Sequence, residues 1–225
     1  MSVAVPPSRP VPALLPVRVL SRAEDGERLH ALLWRAGSGW RMVSSAVLGG
    51  GIGERHWVLN AQVSHGYRRT DPDRHLAALA EAAGVRGPGV GLMTAADVSR
   101  FGRACDGGVE AVVTAGLGVR GWAASPAEGT AGPQPAGTVN TVVALPVALT
   151  DAALVNAVAT ATEAKVQALL DAGYDCSGTP TDAVCIAVRT PQAGEETHAF
   201  AGPRSRWGAR LARAVHAAVR DAAGS

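Results

Sequence analysis

Several strand-like segments of this chain are apolar on both faces, and this constrains its fold more than any other feature. Residues 41–50 (RMVSSAVLGG), 57–63 (WVLNAQV), 109–118 (VEAVVTAGLG), 138–145 (TVNTVVAL) and 182–188 (DAVCIAV) are short and β-branched, with Gly, Pro or Asn at their bounds. A strand with one wet face alternates polar and apolar residues; these do not, so both faces must be covered. The sheet is therefore sandwiched by helices or by a second sheet. LLPVRVL (14–20) and HALLWRA (30–36) read as edge strands joined by the charged turn SRAEDGERL. Helical patterns occupy 71–84, Asp151 to about Ala172, and 206–223. A length of 225 residues suits one domain with a substantial core. The expected fold is α+β: a single domain over 11–225 with a mixed, largely buried sheet system and helices on its outer faces, a layered sandwich. Residues 1–10 are expected to be flexible, and the Gly/Pro/Ala-rich stretch 123–137 to be a surface loop.

Charge and motif content narrow the function. The formal net charge is only +2, and no Lys/Arg block alternates with aromatic residues, so nucleic acid is not an expected partner. The apolar start is studded with proline and lacks a basic leader, unlike a signal peptide. No stretch reaches the roughly 18 uninterrupted apolar residues of a membrane span. A cytoplasmic protein with no membrane partner is expected. Cys105, Cys176 and Cys185 are odd in number and spaced for neither a disulfide framework nor a zinc ribbon, which suits a reducing compartment. Cys185 alternates into a strand interior and reads as core. HExxH, G-x-S-x-G and Walker patterns are absent. GGGIG (49–53) is followed by a strand pattern rather than a helix, so it is not a dinucleotide fingerprint; it reads as a turn that lets a bulky flat ligand approach the backbone. The arginines of 204–220 mostly share the face opposite Trp207, Leu211 and Val215, a solvated surface.

The long helix carries its limits in its sequence. Thr150 is a suitable N-cap, Asp151 lies in the first turn and Gly173 follows the last. At about 100° per residue, Leu154, Val158, Ala161, Lys165 and Leu169 share a face, and Asn156, Thr160, Glu163 and Gln167 form a polar line opposite. Lys165 thus stands in an apolar stripe, where an ammonium either snorkels outward or pairs with a carboxylate. Asp182, at the mouth of the next strand, is the available partner. Strand, helix, turn and strand over 138–188 form a βαβ unit that can bring the two together.

SSAVLGGG, WVLNAQV, GVGLMTAADV, EAVVTAGLG, the long run AGTVNTVVALPVALTDAALVNAVATATEAKVQALL and SGTPTDAVCIAV occur in that order. Their combination over roughly residues 40–190, with a weaker echo in 198–219, resembles the adenosylcobinamide amidohydrolase family of corrinoid salvage. The resemblance implies hydrolysis of the amide joining the aminopropanol arm to a corrin propionate, giving adenosylcobyric acid and 1-amino-2-propanol. A small-molecule corrinoid is the implied partner, and no cofactor is required. Where the family pattern has Thr-Gly-Thr-x-Thr-Asp, this chain has Ser177-Gly178-Thr179-Pro180-Thr181-Asp182, which keeps the hydroxyls and stiffens the turn.

Amide hydrolysis needs an activated water or a side-chain nucleophile, donors for the oxyanion and an acid for the leaving amine. Asp182 or Glu163 can be the base, and Lys165 can orient it or protonate the amine. Asn140, Thr138 and backbone N–H groups near Gly178 are oxyanion candidates, while a Ser or Thr nucleophile is the competing mechanism. Ser177, Gly178, Thr179 and Thr181 are expected to bind substrate around Asp182, and Ser45, Asn60, Thr94 and Asp97 to bind it from the other matching segments. No metal site is expected, although Asp97, Glu163 and Asp182 are carboxylates a divalent ion would use. The alternatives are a non-catalytic corrinoid-binding module and an amidase or acyltransferase for another substrate.

Overall fold

The computed structural model describes residues 13–125 and 137–224. The expected flexible N-terminus and most of the expected loop at 123–137 lie outside them.

The first hairpin shows how local chemistry sets the frame. β1 (Arg18–Glu24) and β2 (Glu27–Arg35) pair from Glu24↔Glu27 upward. Asp25 and Gly26 form the connection with φ of 51° and 80°, the two positive angles of a type I′ turn, whose twist matches that of the strands. β1 is an edge strand as expected. β2 is not, because its other side pairs with β5 (Trp57–Gln62), and β5 pairs in parallel with β6 (Val90–Thr94). These four strands form one sheet. β3 (Trp40–Ser44), β4 (Gly51–Glu54), β7 (Gly102–Asp106), β8 (Val109–Gly116), β9 (Thr138–Ala144) and β11 (Ala183–Arg189) form the other, in the order β4-β3-β11-β9-β8-β7. A parallel two-residue pair, β10 (Ala148–Leu149) and β12 (Thr197–His198), stands apart from both.

Three apolar layers show what covers each face. Leu32, Trp34, Val58 and Leu92 of the smaller sheet meet Met42, Val112, Val142, Cys185 and Ala187 of the larger one. The smaller sheet's outer face, Leu33, Trp57 and Leu59, packs on Leu76 and Ala80 of α1 (Pro72–Ala82). The larger sheet's outer face, including Val113, Val143, Ile186 and Val188, lies under α2 (Asp151–Asp171) and α3 (Arg206–Ala223). The architecture is thus helix, sheet, sheet, helices in one domain, and strands apolar on both faces are its direct consequence.

Thr150 caps α2 by accepting the Ala153 N–H, as the sequence predicts. The polar line of α2 lines a groove through Thr160, Glu163 and Gln167. Asn156, Glu163 and Gln167 are exposed, but Thr160 is buried and donates its hydroxyl to the Ala201 carbonyl at 2.8 Å. A threonine satisfied by a neighbouring carbonyl can face the α2–α3 contact. In α3, Trp207, Leu211 and Val215 are buried, while Arg213 holds Asp106 with two bonds of 2.8 Å on the outer side. The glycine run at 49–53 serves chain-on-chain packing: a Cβ on Gly49 would stand 1.9 Å from the Gly89 carbonyl oxygen.

The cysteines differ in burial. Cys176 and Cys185 are buried and Cys105 is exposed; burial pushes the Cys185 thiol up to about 12. Since thiolate is the reactive form, native protein treated with iodoacetamide is expected to carry one label, at Cys105, and to keep its turnover. Peptide mapping that finds label on Cys185 without unfolding contradicts this packing.

Candidate active site

The unit β9–α2–β11 places a charged pair at one end of the larger sheet. β9 and β11 run side by side in parallel, with Ala183 opposite Asn140, so Asp182 sits where both strands begin. α2 crosses above them, and Lys165, midway along its sheet-facing stripe, reaches down to the carboxylate. Lys165 Nζ donates to Asp182 Oδ2 in a short contact, and the two side chains keep only 11% and 16% of their exposure. Asp182 Oδ1 accepts the Val139 N–H at 2.8 Å and the hydroxyl proton of Thr179. Three donors therefore converge on one carboxylate, and a lone pair of Oδ2 is left for another group.

The turn preceding Asp182 is shaped around this pair. Gly178 is buried with φ +150°, and a Cβ there would stand 2.2 Å from Asp182 Oδ2 and 2.6 Å from Lys165 Nζ. Glycine is required both by the backbone angle and by the close approach. Gly178→Ala is expected to fold, because the atoms met are side-chain ends, but to displace the pair and lower turnover about tenfold to a hundredfold, as misplaced catalytic groups do. Circular dichroism together with initial rates checks it; an unimpaired alanine variant contradicts the assigned geometry.

The neighbouring hydroxyls brace the same turn. Thr181 donates to the Gly137 carbonyl at 3.0 Å and lies 2.6 Å from the Thr138 hydroxyl, which therefore donates to it. Ser177 Oγ accepts the Ala123 N–H at 2.7 Å and bonds the Gly121 carbonyl, and Gly121 and Gly178 form a two-residue bridge. The turn before β11 is thus tied to the loop after β8.

Beside the pair opens a cleft of about 270 Å³ lined by Ser45, Val139, Thr141, Val158, Ala161, Thr162, Lys165, Asp182, Ala183 and Val184. Ser45 Oγ accepts the Val184 N–H at 3.1 Å, which leaves its own proton free to be given to a ligand in the cleft. A larger hollow, about 600 Å³, lies at the sandwich edge among Leu48, Arg55, Trp57 and residues 85–89. Its Arg55 is bound to the carbonyls of Gly49, Gly50 and Glu54, and it holds no acid paired with a base. The smaller cleft is the one with a paired acid and base at its wall.

The structure separates the other sequence-assigned residues from this cleft. Glu163 is exposed on the far side of α2, in a second groove with Gln167, Arg213 and His216, so it does not share the cleft of Asp182. Asn60 and Asn140 are buried between the two sheets. Asn140 Nδ2 donates to Asn60 Oδ1 at 2.8 Å and the Met93 carbonyl at 3.1 Å, and Asn60 donates to Thr114. With both its N–H bonds turned into this inter-sheet network, Asn140 has no donor to offer an oxyanion. Thr94 is buried and accepts the Ala96 N–H. Asp97 lies in an exposed turn, where burial working against it is outweighed by bonds from Ser99 that hold its carboxyl below the usual range. Among the described residues, no three His, Cys, Asp or Glu side chains converge as metal ligands. Sequence reasoning missed Thr141 and Thr162 in the cleft lining; Thr141 neighbours Asn140 in β9 and faces α2 by the two-residue alternation of a strand.

Comparison with known proteins identifies the family. The profile of the adenosylcobinamide amidohydrolase family matches residues 16–225. The chain belongs to that family. It is an amidohydrolase by membership, as the sequence resemblance implied, and the match extends beyond the segments that carried that resemblance. An adenosylcobinamide amidohydrolase of Methanosarcina mazei is 30% identical over 177 residues, which are 76% of this chain and 84% of that protein. One of Halobacterium salinarum is 46% identical over 87 residues, 38% of this chain and 36% of the relative. Within the described residues, no helix is long and apolar enough to cross a membrane.

Proposed function

We propose that the chain hydrolyses the amide between the aminopropanol arm and the corrin propionate of adenosylcobinamide, yielding adenosylcobyric acid and 1-amino-2-propanol for cobalamin salvage. The observation that carries this reading is the Asp182–Lys165 pair at the wall of a cleft, in a member of this family. A volume of about 270 Å³ is below the usual range for a whole drug-sized ligand. It suits the amide arm, with the macrocycle outside.

The groups close a proton cycle. Asp182 takes a proton from water as its oxygen adds to the amide carbon, and Ser45 donates to the developing oxyanion. The C–N bond breaks as Lys165 gives a proton to the leaving nitrogen. Asp182 then returns its proton to Lys165 across their contact, restoring the ion pair. Thr179 supports a second reading, since its hydroxyl already donates to Asp182 and such a contact also activates a nucleophile. Thr179→Ala separates the two: the water mechanism leaves substantial turnover, and the covalent one leaves none.

Mass spectrometry of adenosylcobinamide incubated with pure protein tests the function. A carboxylated corrinoid with free aminopropanol is expected; unchanged corrinoid that stays bound points to a carrier module, and no binding to another amide substrate. The reaction is also proposed to need no metal ion or cofactor, because Asp97, Glu163 and Asp182 stand in three separate settings. Dialysis against EDTA is expected to leave the rate unchanged. Loss of turnover restored by one divalent ion contradicts this.

A further inference from the structure

We propose that Trp122 is a substrate-binding residue, a fixed platform for a flat conjugated face of the corrinoid; this rests on the function proposed above. Four of the five tryptophans, Trp34, Trp40, Trp57 and Trp207, are buried at 7% exposure or less, whereas Trp122 is 44% exposed. An exposed indole that is free to move needs no explanation. This one is tied at its ring nitrogen and through the backbone on both sides of it. Its Nε1 donates to Asp175 at 3.2 Å, and its carbonyl accepts the Ser125 N–H. Gly121 before it bonds Gly178, and Ala123 after it bonds Ser177. Arg120 is fixed over the Tyr174 ring and to the Leu117 carbonyl.

The position matters as much as the rigidity. Gly178, which holds Gly121, is the same residue whose α-carbon abuts Asp182 and Lys165. Trp122 is therefore registered to the charged pair through one shared backbone contact. A cleft that admits only the amide arm leaves the macrocycle and its adenosyl ligand against the surface around the cleft mouth. A rigid aromatic on the loop tied to Gly178 gives contact area with little ordering entropy. The loop has no free cation aimed at a ligand: the Arg120 guanidinium is bound within the loop and on Tyr174. The recognised chemistry is thus a flat π face, supplied by the corrin or by the adenine.

The test measures Kd by equilibrium dialysis, read at the corrin's visible absorbance, and kcat and KM by product release, for the parent, Trp122→Ala and Trp122→Phe. Trp122→Ala is expected to raise Kd and KM about tenfold, the scale of a lost stacking contact, with kcat within about twofold. Trp122→Phe, which keeps a ring but loses the Asp175 bond, stays near the parent. Comparing adenosylcobinamide with cobinamide lacking the adenosyl group assigns the face: an equal loss on both supports the corrin, and a loss confined to the first supports adenine. Unchanged Kd in Trp122→Ala overturns the proposal, as does a phenylalanine variant as defective as alanine, which marks a loop anchor instead. A parent that binds corrinoid but does not hydrolyse it refutes the proposed reaction alone, since the Kd arm still reads the platform. A parent that binds no corrinoid overturns both.

Discussion

Asp182→Asn is expected to fold, to bind adenosylcobinamide at near-parent affinity and to hydrolyse it at least about a hundredfold more slowly. The substitution keeps the shape of the side chain, and its carbonyl oxygen can still accept from Val139 N–H and Thr179. It removes the charge that faces Lys165 and the basic lone pair that takes the proton of water. The amide oxygen keeps the two bonds at Oδ1, but its Nδ2 then faces the Lys165 ammonium donor to donor. A stability loss of the same order as for Lys165→Met, about 1–3 kcal/mol, accompanies the loss of rate without unfolding the protein. The effect therefore falls on kcat and not on KM, and initial rates over a substrate range separate the two. A folded Asp182→Asn enzyme with the parent's kcat returns SGTPTDAV to an ordinary turn.

Lys165→Met is expected to damage stability as well as rate. The thioether fills the stem's place on the apolar stripe, but Asp182 then keeps its charge with no cation beside it. Breaking a fully buried pair costs roughly 3–5 kcal/mol. Here the side chains retain 11% and 16% exposure, so water screens part of that loss and about 1–3 kcal/mol is expected. A urea midpoint shifted down with unchanged slope reads it. Rates corrected for folded fraction should still fall about a hundredfold, since the leaving amine has lost its acid. Adding Asp182→Asn to Lys165→Met should recover most of the stability and none of the activity, because the uncompensated charge is gone. A single mutant as stable as the parent contradicts the buried pair.

Much of the charged pair was legible because it is written locally. Thr150, the helical period of 154–169 and the apolar strand after Asp182 lie within one βαβ unit, where sequence neighbours become spatial ones. Glu163 shows the limit of a helical wheel: it lies two residues before Lys165, and about 200° around the axis places it on the other side of α2. Asn140 reads as an oxyanion donor and Asn60 as a ligand group from the segments that carry the family resemblance. In the fold they face each other across two sheets, where Asn140 Nδ2 donates to Asn60 Oδ1 while Asn140 Oδ1 has no hydrogen-bond partner among the described residues, and this contact depends on how strands are divided between sheets. That division is not a local property, which is also why β2 looked like an edge. β6 went unassigned because its strand starts within the glycine-rich RGPGVG, and β7 because GRACD is too polar and short to stand out. The anchoring of residues 121–123 on Ser177 and Gly178 spans more than fifty positions, and nothing in either segment announces the other.

The most direct measurement is a crystal structure of Asp182→Asn with adenosylcobinamide bound. The account predicts the scissile amide in the cleft between β9, β11 and α2, its carbonyl within hydrogen-bond distance of Ser45 Oγ and its nitrogen facing Lys165 Nζ. An amide bound instead in the groove beside Glu163 and His216, or in the hollow beside Trp57, would contradict it.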